Sequence, residues 1–265
     1  MLDPLDLLFE DEGLPSFDLP DELARLYGGS LGFPNPRLYA NFVSTLDGVV
    51  AISSVPESNK IIAASSEADR FLMGLLRACA GAIVVGSGTL HGSPSGLWAV
   101  DGPHPPTREA LFELRRRLSL PVEPEVAILT RSGSIDAAHP VFEKGAVVLT
   151  TRWGKAVLGA RLPAASMVVA LGEDLELGEA VAWLRERGHA HVLTEGGPTV
   201  FGAMVAAGLV DELFLTVSPR LAGRGRPDDR LQLVEEALLL PDAGVGGQLL
   251  SARRAASHLF LRYAL

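Results

Sequence analysis

Apolar and β-branched residues form short runs that recur along the chain from residue 39 onward. Most of the runs are continuous rather than alternating, a pattern typical of strands buried on both faces of a parallel sheet. They predict strands over residues 39–46, 82–86, 126–130, 146–151, 166–171, 191–195, 213–219 and 258–265.

Helical patterns lie between several of these strands, at residues 65–80, 107–118, 176–189 and 198–208. The first has Ser65 or Ser66 as its N-cap, and the last begins at Pro198 and ends before Gly208. Alternating strands and helices predict an α/β fold, a three-layer α/β/α sandwich around a mostly parallel central sheet. Residues 244–265 lack a crossover helix and resemble a terminal hairpin, so we expect an antiparallel C-terminal edge.

The first 37 residues differ from the rest because they are rich in proline and acidic side chains. This composition predicts a mostly irregular N-terminal arm over residues 1–37, with one short helix that stops at Gly28. No linker-like segment follows, so residues 38–265 are predicted to form a single domain.

Composition narrows the class of protein. The chain has 48% hydrophobic and 21% charged residues and a formal net charge of −9, and its longest basic run is Arg115 to Arg117. Nucleic-acid binding therefore has little electrostatic support. The single cysteine, Cys79, excludes an internal disulfide. The acidic N-terminus lacks the features of a signal peptide, and no apolar stretch is long enough for a membrane span, so we expect a cytoplasmic protein without membrane contact.

Small, hydroxylated or basic residues follow four of the predicted strands. Ligands bind beyond the carboxyl ends of the strands in an open α/β sheet, and four such ends suit an extended polyanionic ligand. The four segments are Gly86-Ser87-Gly88-Thr89, Thr130-Arg131-Ser132-Gly133, Thr151-Arg152 and Glu195-Gly196-Gly197-Pro198-Thr199.

Each of these segments also has a plain structural interpretation. The Gly196-Gly197 turn either reverses the chain or lets a helix N-terminus meet a phosphate. Arg131 with Ser132 either grips the 2′-phosphate of NADPH or lies in a solvated turn. Asp47-Gly48 either makes a hairpin turn or places an acid at the mouth of the site. Neither the G-x-G-x-x-G fingerprint nor a Walker motif is present.

Three stretches together resemble the reductase domain of riboflavin biosynthesis. They are "NFVSTLDGVVA" (41–51), "LLRACAGAIVVGSGTL" (75–90) and "LTEGGPTVFGAMVAAGLVDELFLTVSPRLAGRG" (193–225). The resemblance implies a dihydrofolate-reductase-like fold and a homodimer. It also implies NADPH-dependent reduction, at C1′, of the ribosyl side chain of a phosphorylated aminopyrimidine.

The resemblance also assigns residues by position. For the cofactor these are Gly86, Gly88 and Thr89 along its length, Thr130, Arg131 and Ser132 at the 2′-phosphate, and Gly196, Gly197, Pro198 and Thr199 at the diphosphate. Those facing nicotinamide and substrate are Asn41, Ser44, Asp47 and Glu195. Among them, Asp47 and Glu195 are the catalytic candidates, which would orient the substrate and assist proton transfer.

The chain departs from the family's pattern in two ways. The zinc deaminase domain of bifunctional members needs more than the single cysteine of this chain, so we expect neither that domain nor a metal site. The family's D-P-x-L-x-x-R stretch, which helps to bind the substrate phosphate, is replaced by residues 90–105, with His91 and Trp98. Arg70 and Arg77 are either replacements for it or, as we interpret them, cations on a helix surface.

This departure keeps other hypotheses open. The substrate could be another pyrimidine- or pterin-like heterocycle. From other classes, the chain could be a non-catalytic nucleotide-binding module or a homodimeric scaffold. The Gly and hydroxyl residues at the strand ends argue against a scaffold, which has no need of them.

Overall fold

The computed structural model describes residues 2–225, 229–241 and 244–265. Its strands are β1 (Asp6–Glu10), β2 (Arg37–Ser44), β3 (Val49–Ile52), β4 (Ala82–Gly86), β5 (Glu125–Thr130), β6 (Val147–Thr151), β7 (Met167–Gly172), β8 (His191–Thr194), β9 (Glu212–Val217), β10 (Arg230–Gln232), β11 (Gln248–Ala255) and β12 (His258–Ala264). Its α-helices are α1 (Asp21–Tyr27), α2 (Asn59–Ile62), α3 (Glu67–Cys79), α4 (Ser87–Gly92), α5 (Arg108–Arg117), α6 (Arg152–Leu158), α7 (Leu177–Glu186) and α8 (Pro198–Ala206).

One large sheet forms the centre of the molecule. Within the described residues it has ten strands, in the order β1-β11-β12-β9-β2-β8-β4-β5-β6-β7. The strands from β9 to β7 run parallel, whereas β12, β11 and β1 add antiparallel pairs at the other end. The predicted mostly parallel sheet with an antiparallel C-terminal edge is confirmed. Strands β3 and β10 pair separately, as a two-stranded ribbon.

Helices cover both faces of this sheet, which explains the continuous apolar runs. Ile83 and Val85 of β4 belong to the cluster that includes α1, α3 and α5, whereas Val84 between them belongs to the cluster with α7 and α8. Alternate side chains point to opposite faces of a strand, so a strand between two helical layers must be apolar throughout. The three-layer α/β/α sandwich is therefore confirmed.

The N-terminal segment is more ordered than we expected. Strand β1 pairs antiparallel with β11, and α1 ends at Gly28, whose φ of 72° is left-handed. The buried guanidinium of Arg253 donates to the carbonyl of Tyr27 at 2.8 Å, and that of Arg262 donates to the carbonyl of Gly32 at 2.8 Å. Residues 11–20 and 29–36 are irregular, and the short helix is the one that we expected. Strand β1 was not predicted, and its pairing with the C-terminal hairpin holds it in place. The division of the chain at residue 37 stays a prediction.

The parallel strands bring their carboxyl ends to one edge, where the predicted segments after β4, β5 and β8 line one cavity. Thr151 and Arg152, after β6, lie outside the lining formed by the described residues. Helix α3 starts near this edge at Ser66, whose hydroxyl accepts the Asp69 amide at 3.2 Å as an N-cap. None of the helices in the described ranges is both long and apolar enough to cross a membrane.

Candidate functional site

A cavity of about 790 Å³ opens at the carboxyl ends of β2, β4, β5 and β8. Its walls are the loops that follow these strands, strand β3 with the loop after it, and the first turn of α8. Its volume lies in the upper part of the range of about 300–1,000 Å³ that is typical of small-molecule sites. It can therefore hold an extended ligand.

The turn after β4 forms one wall. Gly86, Gly88 and Thr89 all line the cavity. A Cβ on Gly86 would lie 2.7 Å from a methyl of Val200 on α8, so only glycine allows this close approach. A Cβ on Gly88 would meet no atom within 4 Å.

The turn after β8 faces the turn after β4. The Gly196 amide donates to the Thr194 hydroxyl at 3.2 Å, and Gly197 is the N-cap of α8. A Cβ on Gly197 would lie 3.1 Å from the Thr89 hydroxyl, so the two turns almost touch. Pro198 occupies the first helical turn, and Thr199 follows it at the cavity wall. The unpaired amides of a helix N-terminus thus open into the cavity, an arrangement that binds phosphate.

The turn after β5 contributes a positive charge. The Thr130 hydroxyl accepts the Gly133 amide at 3.2 Å, and the Ser132 hydroxyl accepts the Ser134 amide at 3.2 Å. Arg131 between them is exposed, lines the cavity and forms no ion pair with any described residue. The turn therefore presents an unpaired cation at the rim.

Glu195, directly before the Gly196-Gly197 turn, lines the cavity and is paired with Arg77, which we had placed on a helix surface. The Arg77 guanidinium donates to both Glu195 oxygens, from Nε at 2.8 Å and from Nη2 at 2.6 Å. Its Nη1 also donates to the carbonyl of Ala99 at 3.1 Å. Arg77 is only 9% exposed, so its interpretation as a helix-surface cation was wrong. That interpretation fits Arg70, which is exposed and donates to the carbonyl of Ser65.

The other residues predicted to face the substrate divide into two groups. Asn41 lines the cavity, and its side-chain amide makes no hydrogen bond with another described residue. Ser44 and Asp47 lie outside the lining formed by the described residues. Ser44 is buried in β2, and its carbonyl accepts the Ser218 amide at 2.8 Å.

Asp47 forms the turn that the Asp-Gly pair predicts, and its side chain makes structural hydrogen bonds. Its carboxylate accepts the Thr45 hydroxyl at 2.6 Å and the amides of Ala222 and Gly223 at 3.0 and 2.7 Å. These bonds, the Thr45 bond first, lower the pKa of Asp47 to about 2. Gly48 follows with a φ of 84°, as a tight turn requires. The carboxylate therefore ties two loops together, and its assignment to catalysis stays a prediction.

Sequence reasoning missed a second buried acid at the cavity wall. Asp69, in the first turn of α3, is 6% exposed and lines the cavity. Burial raises its pKa to about 6. Its helical position indicates this burial, because Asp69 precedes Leu72 by three residues and Leu76 by seven and so lies on the buried face of the helix.

Comparison with known proteins agrees with this architecture. A pyrimidine reductase-like protein from Corynebacterium diphtheriae superposes with a TM-score of 0.67 at 22% identity, covering 93% of this chain and 95% of that one. A bifunctional pyrimidine deaminase and 5-amino-6-(5-phosphoribosylamino)uracil reductase from Thermotoga maritima gives a TM-score of 0.61 at 22% identity, over 87% of this chain and 56% of that one. At these identities the two structures show a shared fold.

Sequence comparisons add the family. The chain is 25% identical over 197 residues to the 2,5-diamino-6-ribosylamino-4(3H)-pyrimidinone 5′-phosphate reductase of Archaeoglobus fulgidus, covering 72% of this chain and 84% of that protein. The family model of the RibD C-terminal domain matches residues 36–236, which include every segment that lines the cavity. The chain therefore belongs to the RibD C-terminal domain family, the pyrimidine reductases of riboflavin biosynthesis that its motifs resemble.

Proposed function

We propose that this protein is an NADPH-dependent reductase that acts on the ribosyl side chain of a phosphorylated aminopyrimidine. Reductases of this family use a nicotinamide cofactor. The observation that carries the proposal is the convergence of three glycine- and hydroxyl-rich strand ends, after β4, β5 and β8, on one cavity. The substrate class is suggested by the compounds in the names of the Archaeoglobus and Thermotoga relatives.

The cofactor end of the cavity fits a dinucleotide phosphate. Gly86 and Gly197 let the two segments pack closely, and the space beside Gly88 is open, so a diphosphate can approach the backbone there. The N-terminus of α8 offers amide donors and a partial positive charge to it. Arg131 supports a preference for NADPH, because an unpaired guanidinium can hold the 2′-phosphate bidentately. When bound there, the cofactor supplies a hydride.

The other end of the cavity would hold the pyrimidine. The side-chain amide of Asn41, which has no partner among the described residues, can donate hydrogen bonds to a heterocycle and accept them from it. Glu195 is fixed by two hydrogen bonds from Arg77, so its remaining lone pairs have a defined direction toward the cavity. We propose that Glu195 orients the substrate. The contact of Arg77 with Ala99 connects this carboxylate to the loop that replaces the family's phosphate-binding stretch.

One observation favours a second candidate, a reductase of a related heterocycle that carries no phosphate. Four acidic residues, Glu57, Asp69, Glu195 and Glu236, line the cavity within the described residues. The arginines in the same lining are Arg77, which Glu195 already engages, and Arg131, which lies at the cofactor end. The site therefore offers a substrate phosphate little positive charge.

We also propose that the protein is a cytoplasmic homodimer. Edge strand β1 exposes Leu7, Leu8 and Phe9, at 49%, 53% and 43%. An apolar edge strand is suited to covering by a second chain. Sedimentation of the purified protein would test this, and a monomer at micromolar concentration would contradict it.

Thermal unfolding in the presence of NADPH or NADH tests the cofactor, since a ligand that binds only the folded state raises the melting temperature. We expect a larger rise with NADPH. Loss of NADPH absorbance with the phosphorylated pyrimidine and with its dephosphorylated form then tests the substrate. Turnover of the first supports the main proposal, and turnover of the second alone supports the second candidate. Binding without any turnover would instead indicate a nucleotide-binding module.

A further inference from the structure

Asp69 is a buried acid that nothing in the proposed function yet uses. Its carboxyl group is on the first turn of α3, 6% exposed, and it faces the same cavity as Glu195 and Asn41. The hydrogen bond that caps the helix uses the Asp69 backbone amide, so the cap does not need the side chain.

The surroundings of the Asp69 carboxyl group contain little that would hold it ionised. The Thr216 hydroxyl on β9 is the polar group that faces it and lowers its pKa, and this hydroxyl has no other hydrogen-bond partner among the described residues. Arg70 on the same helix and His258 on β12 act on it only through their charge, and the Glu195 charge opposes ionisation. Arg70 is exposed, and the His258 ring is engaged with the carbonyl of Ala63 at 3.1 Å.

The two acids that the motifs indicated are differently placed. Both Glu195 oxygens accept hydrogen bonds from Arg77, and both Asp47 oxygens accept backbone amides outside the cavity lining. The bonds to Asp47 lower its pKa to about 2, and both Glu195 oxygens are occupied by the guanidinium. Among these three acids, the geometry leaves Asp69 as the one able to carry a proton into the cavity.

We propose that Asp69 is the proton donor of the reaction, an inference that rests on the proposed function. Reduction at C1′ requires the sugar ring to open. The lone pair of the exocyclic nitrogen forms a C1′=N bond, the C1′–O4′ bond breaks with its electrons going to O4′, and Asp69 gives its proton to O4′. C1′ then accepts hydride and returns the pair to nitrogen, so the substrate gains one hydride and one proton. Solvent reprotonates Asp69 after each turnover.

Two variants test this with the phosphorylated pyrimidine and NADPH. Asp69→Asn keeps the shape of the side chain but removes the proton, so kcat should fall about 100-fold or more while NADPH affinity is unchanged. Asp3→Asn, at an exposed aspartate of the N-terminal segment, is the matched control and should keep the parent kcat.

Thr216→Val supplies a readout that a purely structural role of Asp69 would not move. In the parent protein, kcat should decline as pH rises through the Asp69 pKa of about 6. The Thr216 hydroxyl lowers that pKa, so its removal should shift the decline to higher pH without reducing kcat at low pH. This variant also decides the question if Asp69→Asn does not fold.

A parent-like kcat in Asp69→Asn would overturn the inference. So would an unchanged pH profile in Thr216→Val, even beside an inactive Asp69→Asn, since loss of activity alone is also what a structural residue gives. An inactive parent protein that still binds NADPH would refute the proposed substrate, and this inference with it. That outcome is distinct because it appears before any variant is made.

Discussion

The ion pair of Arg77 and Glu195 gives the sharpest test of the site's architecture. Their side chains are 11% and 10% exposed, and the pair has two hydrogen bonds of 2.8 and 2.6 Å. Arg77→Met would leave the Glu195 carboxylate buried without its partner and the Ala99 carbonyl without its donor. Breaking a buried pair in this way costs about 3–5 kcal/mol. Because residual exposure to the cavity lets water screen the charge, we expect about 3 kcal/mol, the lower end of this range.

Urea unfolding would measure this cost, and a double-mutant cycle would isolate the pair. Arg77→Met with Glu195→Gln should cost little more than either single change, a coupling of about 2 kcal/mol. Arg70→Met is the matched control on the same helix, and it should change stability by less than about 0.5 kcal/mol because Arg70 is exposed. A loss below about 1 kcal/mol for Arg77→Met, or additive single effects, would refute the reasoning.

Three further predictions concern other residues that line the cavity. Gly88→Val should lower NADPH affinity at least about tenfold without loss of stability, because the added side chain enters open space in the cavity. The control is Gly178→Val, which is equally unobstructed but lies outside the lining. It should leave the NADPH affinity measured by calorimetry unchanged. Arg131→Ala should abolish the preference for NADPH over NADH in the same titration, whereas Arg152→Ala, at a strand end but already paired with a surface glutamate, should not. Burial raises the pKa of folded Asp69 to about 6 from its ordinary value of 3.8, so the folded state holds an extra proton between these pH values. Stability should therefore fall as pH rises through them, by about 3 kcal/mol in all. Asp69→Asn should remove that fall in urea unfolding at pH 4 and pH 7, and a parent-like slope in this variant would contradict the assignment.

The central sheet could be predicted because its strands carry their own evidence. Every predicted strand is present within two residues of its expected ends, since burial on both faces makes a strand apolar throughout. Strand β1 escaped prediction for the opposite reason. Its five residues are mostly exposed and lie among acidic and proline residues, and its order depends on pairing with β11, more than 230 residues away. No local pattern records such a partner.

The site divides in the same way. The cofactor end could be predicted from strand-end turns, because parallel strands necessarily bring their carboxyl ends to one edge. Arg77 and Asp69 could not be placed from type alone, because charged helix residues are usually solvated. Their burial follows from the packing of α3 against the sheet, with its buried stripe running from Ala68 to Cys79. Reading the helix by position rather than residue type would have shown both on the inner face.

Three carboxylates near this cavity thus have three separate tasks, which their surroundings decide. Asp47 accepts backbone amides and holds two loops, and Glu195 accepts a guanidinium and gains a fixed direction. Asp69 has no comparable partner, and its pKa is raised by burial. A hydride transfer to this substrate needs one proton for each hydride, and a group that internal bonds hold ionised cannot supply it. The loss of stability that buried Asp69 causes near neutral pH is therefore the consequence of keeping one acid protonatable. Its internal partner is a single neutral hydroxyl, that of Thr216, and this suits it to the role.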